Sequence, residues 1–374
     1  VDAGATSRLE SAPTVDSPPT GLPAGPSALA DPEAVEFPEP LVPVDQILSG
    51  GPPPDGIPPI DAPVFMSVKE AGDLLDPAES IVALEINGDA RAYPVRAMVW
   101  HEIVNDSVGG TPVVVTYCPL CNSAISYVRE IRGVETTFGT SGRLYASALV
   151  MYDRVTESLW THFDGRAVVG VLTGDRLLAV ASPLMAWEDF SSSYPEGTVL
   201  NWNETGFRRD YGTNPYVGYD DADAEPFLFR GPLDDRARAM QRVVGISIGG
   251  EATAYPLESL MAGDATATPA NIGGRDLVIF WKAGQASALD ASAIDEGKPV
   301  GSVGVFAPRV DGRQLTFVAD GPNFVDRETG SIWTIAGTAV AGELAGSELE
   351  RIEHLDTFWF AWSTYRPGTT LVEG

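Results

Sequence analysis

Sulfur, imidazole and positive charge are all scarce in this chain. Its 374 residues hold two cysteines, three histidines and 24 basic side chains against 52 acidic ones, a formal charge of −28. So acidic a surface repels phosphate backbones and anionic lipid, which argues against nucleic acid and polybasic membrane attachment. No apolar run approaches the roughly 18 residues of a transmembrane helix. The composition excludes collagen, coiled coil and wholesale disorder. No phosphate-binding loop or dinucleotide fingerprint is present, and no nucleophile elbow: Gly139-Thr140-Ser141-Gly142 has neither the spacing nor the context of one, and Gly245-Ile246-Ser247-Ile248-Gly249 reads as a hairpin strand that does not lead into a helix. What remains is a length sufficient for two cores plus an unpacked segment.

The unpacked segment is expected at the front. Residues 1–63 carry 15 of the 30 prolines, ten acidic residues and a single basic one, Arg8. Runs such as Gly51-Pro52-Pro53-Pro54 favour extended polyproline geometry and do not build a core by themselves. Residues 1–62 therefore read as an extended acidic arm, a solvated stalk. Alternatively Val35, Phe37, Leu41, Val42 and Val44 lay it along a protein partner or a second copy. The first residue is Val1 rather than Met, so a processed, extracytoplasmic chain is expected (secreted, periplasmic or anchored at the cell surface).

The remainder contains an internal repeat. Ile81 to Pro94 recurs as Val243 to Pro256; both read as a strand, a tight Asn87-Gly88 or Gly249-Gly250 turn and a return strand. Asp153 to Thr161 matches Asp326 to Thr334, Gly165 to Gly170 matches Gly337 to Gly342, and both copies close on a Pro-Gly-Thr-Leu pattern near Leu200 and Leu371. The expected class is mainly β, a β-rich α+β protein. Two tandem related domains would occupy residues 63–205 and 235–374, joined by a linker at 206–234. Val113 to Tyr117 and Leu277 to Trp281 read as interior strands, and short helices fit near residues 68–75 and 184–190.

A repeat allows comparison within one chain. After the strand ending at Tyr117 comes Cys118-Pro119-Leu120-Cys121-Asn122-Ser123; the second copy has Lys282-Ala283-Gly284-Gln285-Ala286-Ser287. Both thiols are missing there, and so is a counterpart of His101. The chemistry is thus expected in the first copy alone.

The blocks Asp55-Gly56-Ile57-Pro58, Ala92-Tyr93-Pro94, Trp100-His101-Glu102-Ile103-Val104-Asn105-Asp106, Thr116-Tyr117-Cys118-Pro119-Leu120-Cys121 and Met151-Tyr152-Asp153-Arg154 resemble the bacterial and archaeal family known as domain of unknown function 3179. The likeness continues into the linker at Arg209-Asp210-Tyr211-Gly212. It implies exported proteins or lipoproteins and supplies no reaction.

Three chemistries compete for Cys118 and Cys121. A disulfide suits an oxidising compartment, but so short a loop removes little entropy from the unfolded chain. A redox dithiol is a second reading, although the β-branched residues after Cys121 predict a hairpin tip rather than the helix start of a thioredoxin-like site. A metal knuckle is the third, and it needs further ligands. His101 is the first candidate, with Met151 and His162 behind it. Thiolate, imidazole and thioether together favour copper, and zinc is the alternative.

Overall fold

The computed structural model describes residues 21–373. It is mainly β with short helices, the class expected. Three sheets of four or five strands occupy the first half of the chain, beside a two-stranded ribbon of Glu130–Ile131 and Val134–Glu135. One carries the hairpin Ser80–Ile86 and Asp89–Pro94, flanked by Leu184–Ala186 on one side and Thr198–Leu200 on the other. The second runs Ala179–Val180, Ser123–Val128, Thr111–Cys118, Ile103–Val108. The third contains Phe138–Tyr145, Ala148–Asp153, Leu159–Thr161 and Ala167–Val169.

Three sheets of the second half follow the same strand orders, without counterparts of the edge strands Phe65–Ser67 and Ile47–Ser49. The hairpin Arg242–Ile248 and Glu251–Pro256 is flanked by His354–Phe358 and Thr370–Leu371, the last pairing in parallel as Thr198–Leu200 does. Local chemistry explains the hairpins. Asn87 and Gly88 both have positive φ (53° and 83°), as do Gly249 and Gly250 (60° and 86°), the backbone twist that two-residue hairpin loops need.

The strand Thr111–Cys118 decides where the chemistry lies. It is central in its sheet, so both edges are paired, and cores on both faces leave Val113 to Tyr117 fully buried. Alternation sends Val113, Val115 and Tyr117 into one core, while Val114 and Cys118 enter another. That second core is shared between the halves. Beside Cys118, Cys121, Leu149 and Met151 it contains Met240, Val243, Leu355 and the helix residues Trp359 to Trp362.

Of the two expected helices, one is the single turn Val68–Ala71; the other begins later than expected, at Trp187, because Leu184–Ala186 is taken into a sheet. The arm differs more. Residues 21–62 are not a free stalk: Ile47–Ser49 forms an edge strand against Arg143–Tyr145, Ala28 and Ile47 are buried, and Phe37, Val42 and Val44 pack on the same cluster. Ile60 is 2% exposed and bridges Val104. Proline prevents this segment from making its own ladder, but not from lending apolar side chains to an existing sheet edge. Val35 and Leu41 do remain exposed. Residues 1–20 of the arm lie outside the described residues.

A buried carboxylate organises one turn in each half. Asp153 accepts from the backbone N–H of Thr156 (2.7 Å) and Ser158 (3.2 Å), from Thr156 Oγ1 (2.8 Å) and from Trp160 Nε1 (3.0 Å). Asp326 does the same for Thr329, Ser331 and Trp333. Truncation leaves several buried donors without an acceptor, each costing roughly 1–3 kcal/mol. Asp153→Ala is therefore expected to lower the unfolding free energy by about 3 kcal/mol in urea titrations, and a loss below about 1 kcal/mol would contradict this role.

Candidate metal centre

Cys118 ends its strand, Pro119–Cys121 makes one 3-10 turn, and Asn122 reverses the chain in the left-handed region (φ 47°, ψ 49°) so that Ser123 pairs back with Cys118. Asparagine is among the few residues with a side chain that adopt this conformation readily. Its amide is held by Tyr117, whose hydroxyl donates to Asn122 Oδ1 at 3.1 Å. The segment is thus a hairpin tip, with both sulfurs on its inner side and both cysteines present as free, buried thiols.

The tip is clamped from outside its own sheet. Thr357 Oγ1 donates to the Cys121 carbonyl at 2.6 Å, and the Tyr219 hydroxyl donates to the Leu120 carbonyl at 3.1 Å. Asp356, next to Thr357, is fixed by Arg242, which also pairs with Asp220; all three are nearly excluded from solvent. None of Thr357, Tyr219, Arg242 or Asp356 was marked by the sequence, since each lies far from Cys118 along the chain and is an ordinary strand or loop residue by itself.

His162 completes the group. Its ligand nitrogen and the two sulfurs all lie within 4.8 Å of one another. The strand Leu159–Thr161 carries it there, and its backbone N–H donates to the carbonyl of Leu149, whose own N–H points at Cys118 Sγ (3.4 Å). Both ring nitrogens of His162 are buried without a hydrogen-bond partner among the described residues. Burial pushes its pKa down to about 3, so the ring is neutral at physiological pH, the form that binds metals. An ion about 2.3 Å from sulfur and 2.0–2.1 Å from nitrogen needs its donors roughly 3.5–4 Å apart. A small contraction of this group supplies that spacing.

The two thiols are unequal. Burial raises Cys118, but the Cys121 thiol and the N–H groups of Leu149, Cys121 and Leu120 outweigh it and hold Cys118 below the ordinary thiol range. Burial and the neighbouring Cys118 sulfur push Cys121 well up. Cys121 Sγ also meets Ser123 Oγ at 2.9 Å.

The other sequence candidates fall as follows. His101 stands outside the group and is corrected as its third member. Its Nδ1 donates to the Pro58 carbonyl and its Nε2 accepts from the Tyr211 hydroxyl, both at 2.7 Å, so neither nitrogen is free for an ion. Met151 is fully buried on the strand face it shares with Leu149, in the cluster that holds both cysteines. The remaining histidine, His354, is no candidate; it lies in the second half with Nδ1 against the Ile352 carbonyl. A signal for His162 did exist: in the aligned block Trp333-Thr334-Ile335 the second copy has isoleucine, so this imidazole, like the thiols, occurs in one copy only.

The position equivalent to the thiol pair is filled differently in the second half. Lys282 pairs with Ser302, not with Ser287 as the alignment suggested, because a longer loop separates the two strands. Lys282 and Ser302 both bind Asp189, from the first half's helix Trp187–Ser193. An ion pair thus stands where the first half has two sulfurs.

A family model described as a protein of unknown function, DUF3179, matches residues 54–369. No curated protein and no solved structure matches the chain. The match spans the hairpin tip, His162 and every residue that clamps them, and the chain belongs to the DUF3179 family.

Proposed function

We propose that this protein binds one soft metal ion through Cys118, Cys121 and His162, copper in preference to zinc, and that the ion serves a redox or carrier role. The observation that carries this reading is His162. A neutral imidazole with both nitrogens buried and unpartnered costs free energy that a structural residue has no reason to incur. Two free thiols within 4.8 Å of it supply the other donors. Two sulfurs and one nitrogen, screened from water and near the buried thioether of Met151, suit a soft ion of low coordination number. Binding would displace the remaining thiol protons, since thiolate is the ligating form.

A second reading, a dithiol that cycles through a disulfide, gains support from the lowered pKa of Cys118 beside a raised Cys121. It is the weaker one, because Cys118 is 1% exposed and Cys121 fully buried, so a partner disulfide has no approach without opening the clamp. The proline-rich, acidic front of the chain supports an extracytoplasmic location, which fractionation of the native host would check.

Full-length reduced protein, loaded anaerobically with one equivalent of Cu(I) or Zn(II) and desalted, should retain near-stoichiometric metal, with copper displacing zinc. Cys118→Ser and His162→Leu should lose it, and His101→Gln should keep it. Failure of the wild type to retain either metal, or full retention by His162→Leu, would sink the proposal. If the same preparation consumes one disulfide equivalent of oxidant reversibly and holds no metal, the dithiol reading takes its place.

His162→Leu also tests the energetic argument. Removing two unpartnered nitrogens from an apolar site should raise the stability of the metal-free protein by about 1 kcal/mol. A loss of more than about 2 kcal/mol would show that the ring has a structural partner instead.

A further inference from the structure

The repeat places a serine at the same point of both halves, and in each its hydroxyl meets the group at the hairpin end. Ser123 pairs with Cys118 where the strands Thr111–Cys118 and Ser123–Val128 come together. Ser302 pairs with Lys282 in the same way, where Arg275–Lys282 meets Ser302–Ala307. Both serines are fully buried. Ser302 Oγ donates to Asp189 Oδ2 at 2.6 Å, and Lys282 binds the other oxygen of that carboxylate. Ser123 Oγ lies 2.9 Å from Cys121 Sγ, and among the described residues its hydroxyl has no other partner.

The two ends differ in where a cation comes from. In the second half hydroxyl, carboxylate and ammonium form a closed set, with serine and lysine sharing one anion. In the first half Cys118 stands at the position of Lys282, so sulfur takes the place of the built-in ammonium. Ile125 and Tyr127, which alternate onto the face of Ser123, line the core that holds both cysteines. On that face the sulfur of Cys121 is what the hydroxyl meets. A hydroxyl serves either form of it: it accepts from S–H and, after turning about its C–O bond, donates to a thiolate with no heavy atom moving.

We infer that Ser123 sets which ion the centre prefers: in the loaded Cys118–Cys121–His162 centre its hydroxyl donates to the Cys121 thiolate and favours a univalent ion, Cu(I), over Zn(II). The inference rests on the metal reading above. Loading exchanges the thiol protons for the ion, with no change of oxidation state. Two thiolates and a neutral imidazole around Zn(II) sum to zero charge; around Cu(I) they leave one negative charge in a buried site. Such a charge is costly unless it is hydrogen-bonded. The less an ion draws from its sulfurs, the more charge stays on them, and the stronger the charge-assisted bond from Ser123 becomes. The Leu149 N–H, 3.4 Å from Cys118 Sγ, does the same for the other sulfur. Ser123 is thus a positioning residue that acts through Cys121 and is not itself a ligand.

The test compares wild type, Ser123→Ala and Ser123→Thr as full-length reduced protein. Affinities for Cu(I) and Zn(II) are measured by competition with a chromophoric chelator of each ion, and Co(II) serves as the spectroscopic probe. Ser123→Ala should lose about tenfold or more in Cu(I) affinity and about threefold or less in Zn(II) affinity, so the copper-to-zinc ratio falls. Its thiolate-to-cobalt charge-transfer band should move to lower energy, because a thiolate without its hydrogen bond gives up an electron more readily. Ser123→Thr keeps the hydroxyl and should keep both the ratio and the band. An unchanged ratio with an unmoved band in Ser123→Ala would overturn the assignment. Equal losses for both ions, the mark of a merely structural residue, would overturn it too, as would a Ser123→Thr that loses copper as Ser123→Ala does. Absence of the thiolate band in the wild type would instead refute the three-donor centre itself and take this inference with it.

Discussion

A sharply bent loop has carbonyls that its own turn does not satisfy, and in this protein they are satisfied from the linker and the second half of the chain. Thr357 donates to the Cys121 carbonyl and Tyr219 to that of Leu120. The site lies directly beneath this closure. Beneath it the sulfurs are buried, Cys118 meets the Leu149 N–H, and burial keeps the imidazole of His162 neutral. The site is a property of the two halves together.

The dependence is reciprocal. The second half's strand Ser302–Ala307 receives the Ala186 N–H at Ser302 Oγ, and Asp189 binds both Ser302 and Lys282. Ala286 exchanges backbone and side-chain bonds with Ala78 and Ser80. Each half therefore closes the hairpin end of the other, one around two thiols and the other around a lysine–aspartate pair. The buried Arg242, Asp220 and Asp356 fix the angle of the clamp. Such a desolvated set contributes little net stability, but breaking it leaves an uncompensated charge, so it specifies position more than it adds free energy.

The site also separates side chains that serve the fold from those that burden it. Asp153 and Asp326 each gather four or more donors and sit in both halves at the same turn. Among the described residues His162 gathers none through its side chain, and it lies beside Cys118. A polar side chain buried without recompense calls for a specific explanation, and the proposed metal ion would supply one for His162.

The sequence alone determined the β-rich class, the two-residue turns at Asn87-Gly88 and Gly249-Gly250, the interior strand Val113 to Tyr117 and the hairpin tip carrying both thiols. These follow from alternation, glycine conformation and burial on two faces, all properties of neighbouring residues. Only the tertiary structure chose the third donor, because His162 and His101 are equally histidines until the strand Leu159–Thr161 brings one of them beside Leu149 and the helix end turns the other toward Pro58 and Tyr211. It likewise placed residues 21–62 on a sheet edge, where their few apolar side chains found a core that their prolines could not build, and it alone joined Thr357 to Cys121 across 236 residues of chain. Local physics is written in short windows; what closes a site is set by which windows meet.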